Sequence, residues 1–512
     1  MSGRDGAFRG PSRRAVVAGA SALVTSGAST VASAAPGAIA VSGPIAGKPV
    51  LALGSYDLGA FGYVVEEFFL SGAARSFRAT TPLEVDGRWK AEPTGQTAAY
   101  TTRIVVVRPA QPARFNGSVV LEWLNVSGGR DGCPDWTMAH REILRSGGAY
   151  VGVSAQRVGI EGGPSLNTSS APLKKADPER YATLSHPGDA YAYDMFSDAG
   201  RVARGQGSAK VLGALSAKQV LAMGESQSAA YLTTYVNAID PLARVFDGFL
   251  IHSRAGVVAP VEGGSFGTMA NMPVGIRIRT DVRAPVLTVL TETDVLGMIR
   301  PGFSAPTGYW TARQPDSDRL RTWEVPGTAH ADTYMVAAGV LDAGPDSLPR
   351  VAAAALPKLE VSGMKLDKLP NSSLAHPFVL TAGYAALVRW VQTGKAPVRG
   401  EPIQTLPPAG AGENATLVVD EHGNAKGGVR NPWLDVPTAR LAGSGNSGGG
   451  FAFLIGVTEP FDRAKMASLY PGGRSDYLKR FDQALGSAIE AGFILAADRD
   501  DIRTLAELMY PA

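Results

Sequence analysis

Short apolar runs alternate with longer stretches of helical period through the middle of this chain. The runs are Arg103–Pro109, Ser118–Leu124, Tyr150–Val153, Gln219–Met223, Gly248–Ile251, Val286–Leu290 and Thr322–Val325. β-rich apolar runs with longer helical spacers predict an α/β fold, a mostly parallel central sheet with helices on both faces. Asp189–Arg204 illustrates a covering helix. Its Ala192, Met195, Phe196, Ala199, Val202 and Ala203 fall on one face at i, i+3, i+4 spacing. Residues 60–115 read as mixed and β-rich. No internal repeat is visible, and no G-x-G-x-x-G follows a strand, so a dinucleotide fold has no fingerprint.

The run Gln219–Met223 leads into Gly224-Glu225-Ser226-Gln227-Ser228 and then a helix-compatible stretch, Ala229–Ala238. Strand, sharp turn and helix in that order are the layout of a nucleophile elbow. The turn is strained, so its flanking residues must be small. It lifts the Ser226 hydroxyl above the sheet edge, beside helix N–H groups that favour developing negative charge. Ser228 stands where the usual pattern has a second glycine, so the motif's weight comes from its context.

Two later strands supply partners. Val286–Leu290 runs into Thr291-Glu292-Thr293-Asp294, and Thr322–Val325 runs into Pro326-Gly327-Thr328-Ala329-His330. Serine is a poor nucleophile at neutral pH. An imidazole must take its proton, and a carboxylate must hold the imidazole tautomer and stabilise its charge. Ser226, Asp294 and His330 stand in the Ser–acid–His order of an α/β hydrolase. Glu292 is the alternative acid, and alternation does not choose between carboxylates two residues apart. Asp294 is favoured by its loop position, although it would also serve as an N-cap. The glycines of Asn125-Val126-Ser127-Gly128-Gly129 let backbone N–H groups turn toward the sheet edge, so Val126 and Gln227 are the expected oxyanion donors, with an ordinary Gly-rich turn as the bland alternative. Ser127 is the reserve nucleophile. Asp131 and Asp135 read as a capped turn before Trp136 rather than as metal ligands, since no His or Cys cluster joins them. Of the six histidines, His140, His186, His252, His376 and His422 read as structural, with His252 a candidate pocket-lining residue.

Longer strings carry a resemblance. Glu122 to Gly129, Pro134-Asp135-Trp136, Val151 to Gln156, Gly224 to Ala229, Thr291 to Asp294, Gly327 to Asp332, His186 to Asp189 and Gly427 to Arg430 are similar to those of a family of bacterial alpha/beta-hydrolase-domain proteins. The similarity covers most of the chain beyond its first residues. It implies a serine hydrolase with its nucleophile at Ser226 and its base at His330, and it names no substrate.

Charge changes the picture at one end only. The net charge of +3 comes from Arg4, Arg9, Arg13 and Arg14 against Asp5, and the remaining residues balance. Nucleic acid and anionic membranes are therefore not expected partners. Ser12-Arg13-Arg14 is a twin-arginine pattern, no charge occurs from Ala15 to Gly47, and Ala32-Ser33-Ala34 offers a small-x-small cleavage site. Residues 1–34 are read as an export signal, too polar for a membrane anchor. The single cysteine, Cys133, excludes an intrachain disulfide and sits in a turn-like context.

The expected organisation is a catalytic domain over 35–399, with 332–375 as a cover insertion, and an accessory or lid region over 400–512 packed on it. Helices are expected at Ala382–Thr393, Lys479–Leu495 and Asp500–Met509, short strands within Thr416–Arg440, and a flexible Gly/Ser loop at Ala442–Gly450. The expected activity is cleavage of a small-molecule carboxylic ester through an acyl-enzyme on Ser226, with no cofactor and no metal. The same triad suits a thioester, lactone, carbonate or amide. A non-catalytic ligand-binding protein or a surface interaction protein are alternatives of other classes.

Overall fold

The computed structural model describes residues 39–166, 170–264, 269–297, 307–410 and 412–511. The expected export signal at 1–34 lies outside the described residues. Among these residues the main sheet has nine strands in the order β1-β2-β3-β5-β4-β6-β7-β8-β9. They are β1 (Ala40–Ser42), β2 (Tyr63–Ala79), β3 (Ala91–Pro109), β4 (Ser118–Trp123), β5 (Ala149–Val153), β6 (Gln219–Glu225), β7 (Gly248–His252), β8 (Val286–Thr291) and β9 (Leu320–Val325). The strands from β5 through β9 are parallel, and β1, β2 and β3 extend the sheet by antiparallel pairing.

Alternation explains why the parallel strands read as unbroken apolar runs. In β4, Val119, Leu121 and Trp123 feed one core while Val120 feeds the other. In β6, Val220 and Ala222 face the first core, and Leu221 and Met223 the second. A sheet covered on both faces needs apolar residues at both parities. The first core is closed by α2 (Ala192–Ala203) and α3 (Gln227–Thr234), through Phe196 and Tyr231. The second is closed by α1 (Pro134–Ser146) and α5 (Ala375–Thr393), through Trp136, Ile143, Leu387 and Trp390.

Several elements depart from expectation. β6 runs on to Glu225, the residue before Ser226. α5 begins at Ala375 rather than Ala382, because Pro377 falls in its first turn, where a missing N–H breaks no helical bond. The loop Ala442–Gly450 is not a loose linker. A side chain at Gly443 would meet the Thr293 nitrogen at 2.5 Å and the Thr328 oxygen at 2.7 Å, and Asn446 binds the Lys368 and Gly456 carbonyls. Gly443 and Gly448 serve close approach: a Cβ at Gly448 would run into the Lys365 carbonyl oxygen. Further along, α6 (Gly473–Glu490) and α7 (Arg499–Leu508) bury Phe481, Leu485, Ile502 and Leu505 in the second core. Among the described residues no helix is long and apolar enough to cross a membrane.

β4 is followed on one side by β5 and on the other by β6, so strand order reverses between β4 and β6. Crevices at the carboxyl ends of strands at such a switch are where open α/β sheets bind ligands. The loop after β4 is anchored there by a buried ion cluster. Arg103 of β3 lies 2.6 Å from Asp131 and 3.3 Å from Glu67, with Ser154 on its Nε. Asp131 thus belongs to this ion cluster and does not cap the helix. Arg103→Met would leave two carboxylates buried without this cation, and is expected to cost about 3–5 kcal/mol in urea unfolding. A loss below about 1 kcal/mol would show that the cluster does not anchor this loop.

Candidate active site

Ser226 lies between the end of β6 and the start of α3, with φ 57° and ψ −116°. A non-glycine residue pays for this conformation only where the surroundings impose it. Here the Ser226 N–H is held by the His252 carbonyl at 3.0 Å, and α3 begins at the next residue. Gly224 permits the helix to cross so closely: a Cβ there would sit 3.1 Å from the Ser228 backbone. Ser228 itself fits, its hydroxyl buried.

The other two predicted residues converge on this turn. The Ser226 hydroxyl lies 2.8 Å from His330 Nε2, and His330 Nδ1 lies 2.6 Å from Asp294 Oδ1. An ionised carboxylate only accepts, so Nδ1 carries the proton and Nε2 presents its lone pair to the serine. The second oxygen, Asp294 Oδ2, accepts the Thr291 N–H and the Thr291 hydroxyl, both at 2.7 Å. Burial pushes the Asp294 carboxyl up, but His330 and the Thr291 donors outweigh burial and hold it below its ordinary value.

Glu292 does different work. It accepts the Gly327 N–H at 2.9 Å and the Gly443 N–H at 2.8 Å. It thereby ties the acid's turn to the histidine's loop and to the 443 segment. Asp294 is not the N-cap of the helix; its N–H donates to the Thr291 hydroxyl. α4 (Glu292–Leu296) is capped by Thr291, with Asp294 as the reciprocal member of a capping box. The His330 N–H donates to Thr293 Oγ1 at 3.0 Å, a further tie between the two loops.

Gln227 is the first residue of α3, and first-turn N–H groups have no partner inside their helix. Across from it, the Asn125 N–H donates to the Gly132 carbonyl and the Ser127 N–H to Asn125 Oδ1. The Val126 amide lies between these two. The Asn125 amide group donates to the Glu225 carbonyl at 3.1 Å and to its carboxylate at 2.9 Å, so the 125–129 loop abuts the elbow. The Gln227 side chain donates to Gln156, which also receives the Trp123 indole N–H.

Three features were not foreseen. Glu225, the residue before the serine, is buried with Oε1 3.1 Å from His330 Nε2. Glu122 is buried in β4 and accepts the Asp135 and Trp136 N–H groups at 3.0 Å, so it caps α1 in place of Asp131 or Asp135. A carboxylate interrupting an apolar run was the available signal. His252 does not line a pocket; it is fully buried and bonded to Asp135 and His376. His140 binds the Asp342 carbonyl, His186 the Ala155 carbonyl, and His422 lies beside Phe461, which are structural positions.

A family model described as alpha/beta hydrolase domain matches residues 30–504. No curated protein matches the chain. Solved structures similar to it include the esterase Est22 (12% identity, TM-score 0.26, 47% of this chain and 68% of that one). A thermostable esterase from Pseudomonas putida is 14% identical, with TM-score 0.24 over 47% of this chain and 66% of that one. XC6422 from Xanthomonas campestris, described as an a/b serine hydrolase without lid, is 12% identical, with TM-score 0.27 over 45% of this chain and 80% of that one.

Glu225 generates a pH prediction. Burial pushes its carboxyl up to about 8, against the opposing charge of His330. An unfolded chain releases that proton near ~4.3. Between these values the folded protein holds a proton that the unfolded chain has lost, so stability falls as pH rises and levels off above about 8. Glu225→Gln removes this titration. Its melting temperature is expected to decline less than that of the wild type between about pH 5 and 8. Equal slopes would show that the carboxyl is not held neutral.

Proposed function

The chain belongs to the alpha/beta hydrolase domain family, and on that premise we propose that it is a serine hydrolase that cleaves carboxylic esters through an acyl-enzyme on Ser226. The observation that carries this reading is the unbroken sequence of contacts from Ser226 Oγ to His330 Nε2 and from His330 Nδ1 to Asp294, built on a strained turn at the carboxyl edge of the sheet. His330 takes the serine proton as Oγ attacks the ester carbonyl, then delivers it to the departing alkoxide. Asp294 holds the tautomer and stabilises the imidazolium. The N–H groups of Gln227 and Val126 receive the oxyanion. Water then repeats the sequence on the acyl-enzyme and releases the acid.

The substrate enters as a small molecule with an uncharged ester bond. The twin-arginine pattern at Arg13 and Arg14, with the uncharged stretch behind it, supports export of the chain and removal of residues 1–34.

A fluorophosphonate probe is expected to label wild-type protein and not Ser226→Ala, which also loses several orders of magnitude in ester turnover. Labelling of Ser226→Ala would move the nucleophile to another serine, such as Ser127. With an acyl p-nitrophenyl ester, Asp294→Asn is expected to lower kcat by about 10³- to 10⁴-fold, and Glu292→Gln by much less; the reverse order would give the acid's role to Glu292. For export, N-terminal sequencing of protein from the medium or cell envelope is expected to start near Ala35. Export unchanged in an Arg13→Lys, Arg14→Lys double variant would reject the twin-arginine route.

A further inference from the structure

Behind the triad lies a second set of four buried ionisable groups. His252 Nδ1 is 2.8 Å from Asp135 Oδ1, His252 Nε2 is 2.6 Å from His376 Nε2, and His376 Nδ1 is 2.9 Å from Asp332 Oδ2. All four residues have no exposed surface. They come from α1, the end of β7, the first turn of α5 and the loop that carries His330.

Counting protons defines what this chain is. Each of its three links needs one proton between its two heavy atoms. Two neutral imidazoles bring one proton each, so a third is required. It resides on one imidazole or one carboxyl, and the set then carries a single negative charge. A fourth proton placed within these three links would set two donors face to face, and loss of the third would set two lone pairs face to face. Either is costly in a site with no exposed surface.

The position of the charge follows from the surroundings. Asp135 Oδ2 is buried without a hydrogen-bond partner, which suits a neutral carboxyl. Asp332 Oδ1 accepts the Met335 N–H at 2.9 Å, which suits a carboxylate. Burial, and next to it His376, hold His252 well below its ordinary value, and burial holds Asp135 well above its own. The arrangement is then Asp135–OH to His252 Nδ1, His252 Nε2–H to His376 Nε2, and His376 Nδ1–H to Asp332.

We propose that Asp135, His252, His376 and Asp332 form one proton-sharing chain that keeps a single negative charge at Asp332 and positions the His330 loop against the elbow. The role in turnover rests on the serine-hydrolase reading above. The attachment points are direct. His252 holds the Ser226 N–H through its carbonyl, Asp332 follows His330 by two residues, and Asp135 opens the helix that ends the 125–133 loop. The chain thus joins the segments bearing nucleophile, base and expected oxyanion donor. Ionisable groups around it are Glu122 on β4, Tyr150 on β5, Glu225 at the end of β6, Asp294 on α4, and His330. The charges of Asp294 and His330 reach the His252 ring.

The first test is proton NMR on histidine-¹⁵N-labelled protein. A far-downfield, exchange-protected N–H from the His252–His376 link is expected in wild type, in Ser226→Ala and in His330→Ala, and it should vanish in His376→Asn. Its absence, with both rings titrating independently, overturns the chain. Because Ser226→Ala is inactive, this arm stands apart from turnover: the resonance without any esterase activity would reject the proposed function and leave the chain. The second test is kinetic. His376→Asn keeps a donor to Asp332 and loses His252, and should lower kcat by about 10²-fold with KM little changed. Asp332→Asn removes the charge at nearly constant shape, and should move the acid limb of kcat/KM to lower pH by roughly half a unit. Wild-type kcat in folded His376→Asn, or an unmoved acid limb in Asp332→Asn, would overturn the positioning role. Should His376→Asn not fold, Asp332→Asn and the wild-type resonance decide.

Discussion

The 2.8 Å contact between Ser226 Oγ and His330 Nε2 joins residues 104 positions apart, and most of the structure around it serves to make that contact possible. The serine is fixed by a backbone conformation that neighbours must impose. The histidine is fixed by a loop with no regular structure of its own. Neither constraint holds unless the carboxyl ends of β6, β7, β8 and β9 are in register. Glu225 pairs with His252 across β6 and β7, and Thr291 with Val325 across β8 and β9. The parallel sheet supplies that register because apolar residues at both parities lock each strand between two cores.

Four buried carboxylates at this edge meet the cost of burial in three ways. Glu122 and Glu292 accept backbone N–H groups and act as rivets between segments. Asp294 takes an imidazole and two Thr291 donors and stays ionised. Glu225 has one side-chain amide donor and His330 beside it, and retains its proton to about pH 8. At Asp294 the imidazole and the Thr291 donors outweigh burial, whereas at Glu225 burial prevails over His330 and the Asn125 amide.

What could be read from the chain was local or ordered. The strands of the parallel sheet and the elbow appear within short windows, and serine, acid and histidine follow in order along the chain. β2 escaped because its 17 residues mix polar and apolar positions, Glu66, Arg75 and Arg78 among them, as an antiparallel strand partly open to solvent does. Glu225 was hidden as the unspecified position of the motif. The His252–His376 pair was illegible because the two rings are 124 residues apart, and each alone looks like a satisfied core histidine. The Gly443 segment misled because glycine marks freedom and close approach with the same letter, and only the neighbouring Thr293 and Thr328 backbone tells which applies.

The two carboxylates of Glu292-Thr293-Asp294 show how a local rule fails at an element boundary. Residues two apart share a face while the chain is a strand, and on that rule Glu292 and Asp294 are equivalent. But β8 ends at Thr291, and α4 starts at Glu292. A helix turns about 100° per residue, so positions two apart point about 200° from one another, to opposite sides. The Thr291 cap sets where that change occurs. From the first helical position Glu292 reaches back to the Gly327 and Gly443 amides, while Asp294 at the third turns to Thr291 and His330. One capping threonine therefore divides the labour between two otherwise similar acids: one holds the loops together and the other faces the His330 imidazole.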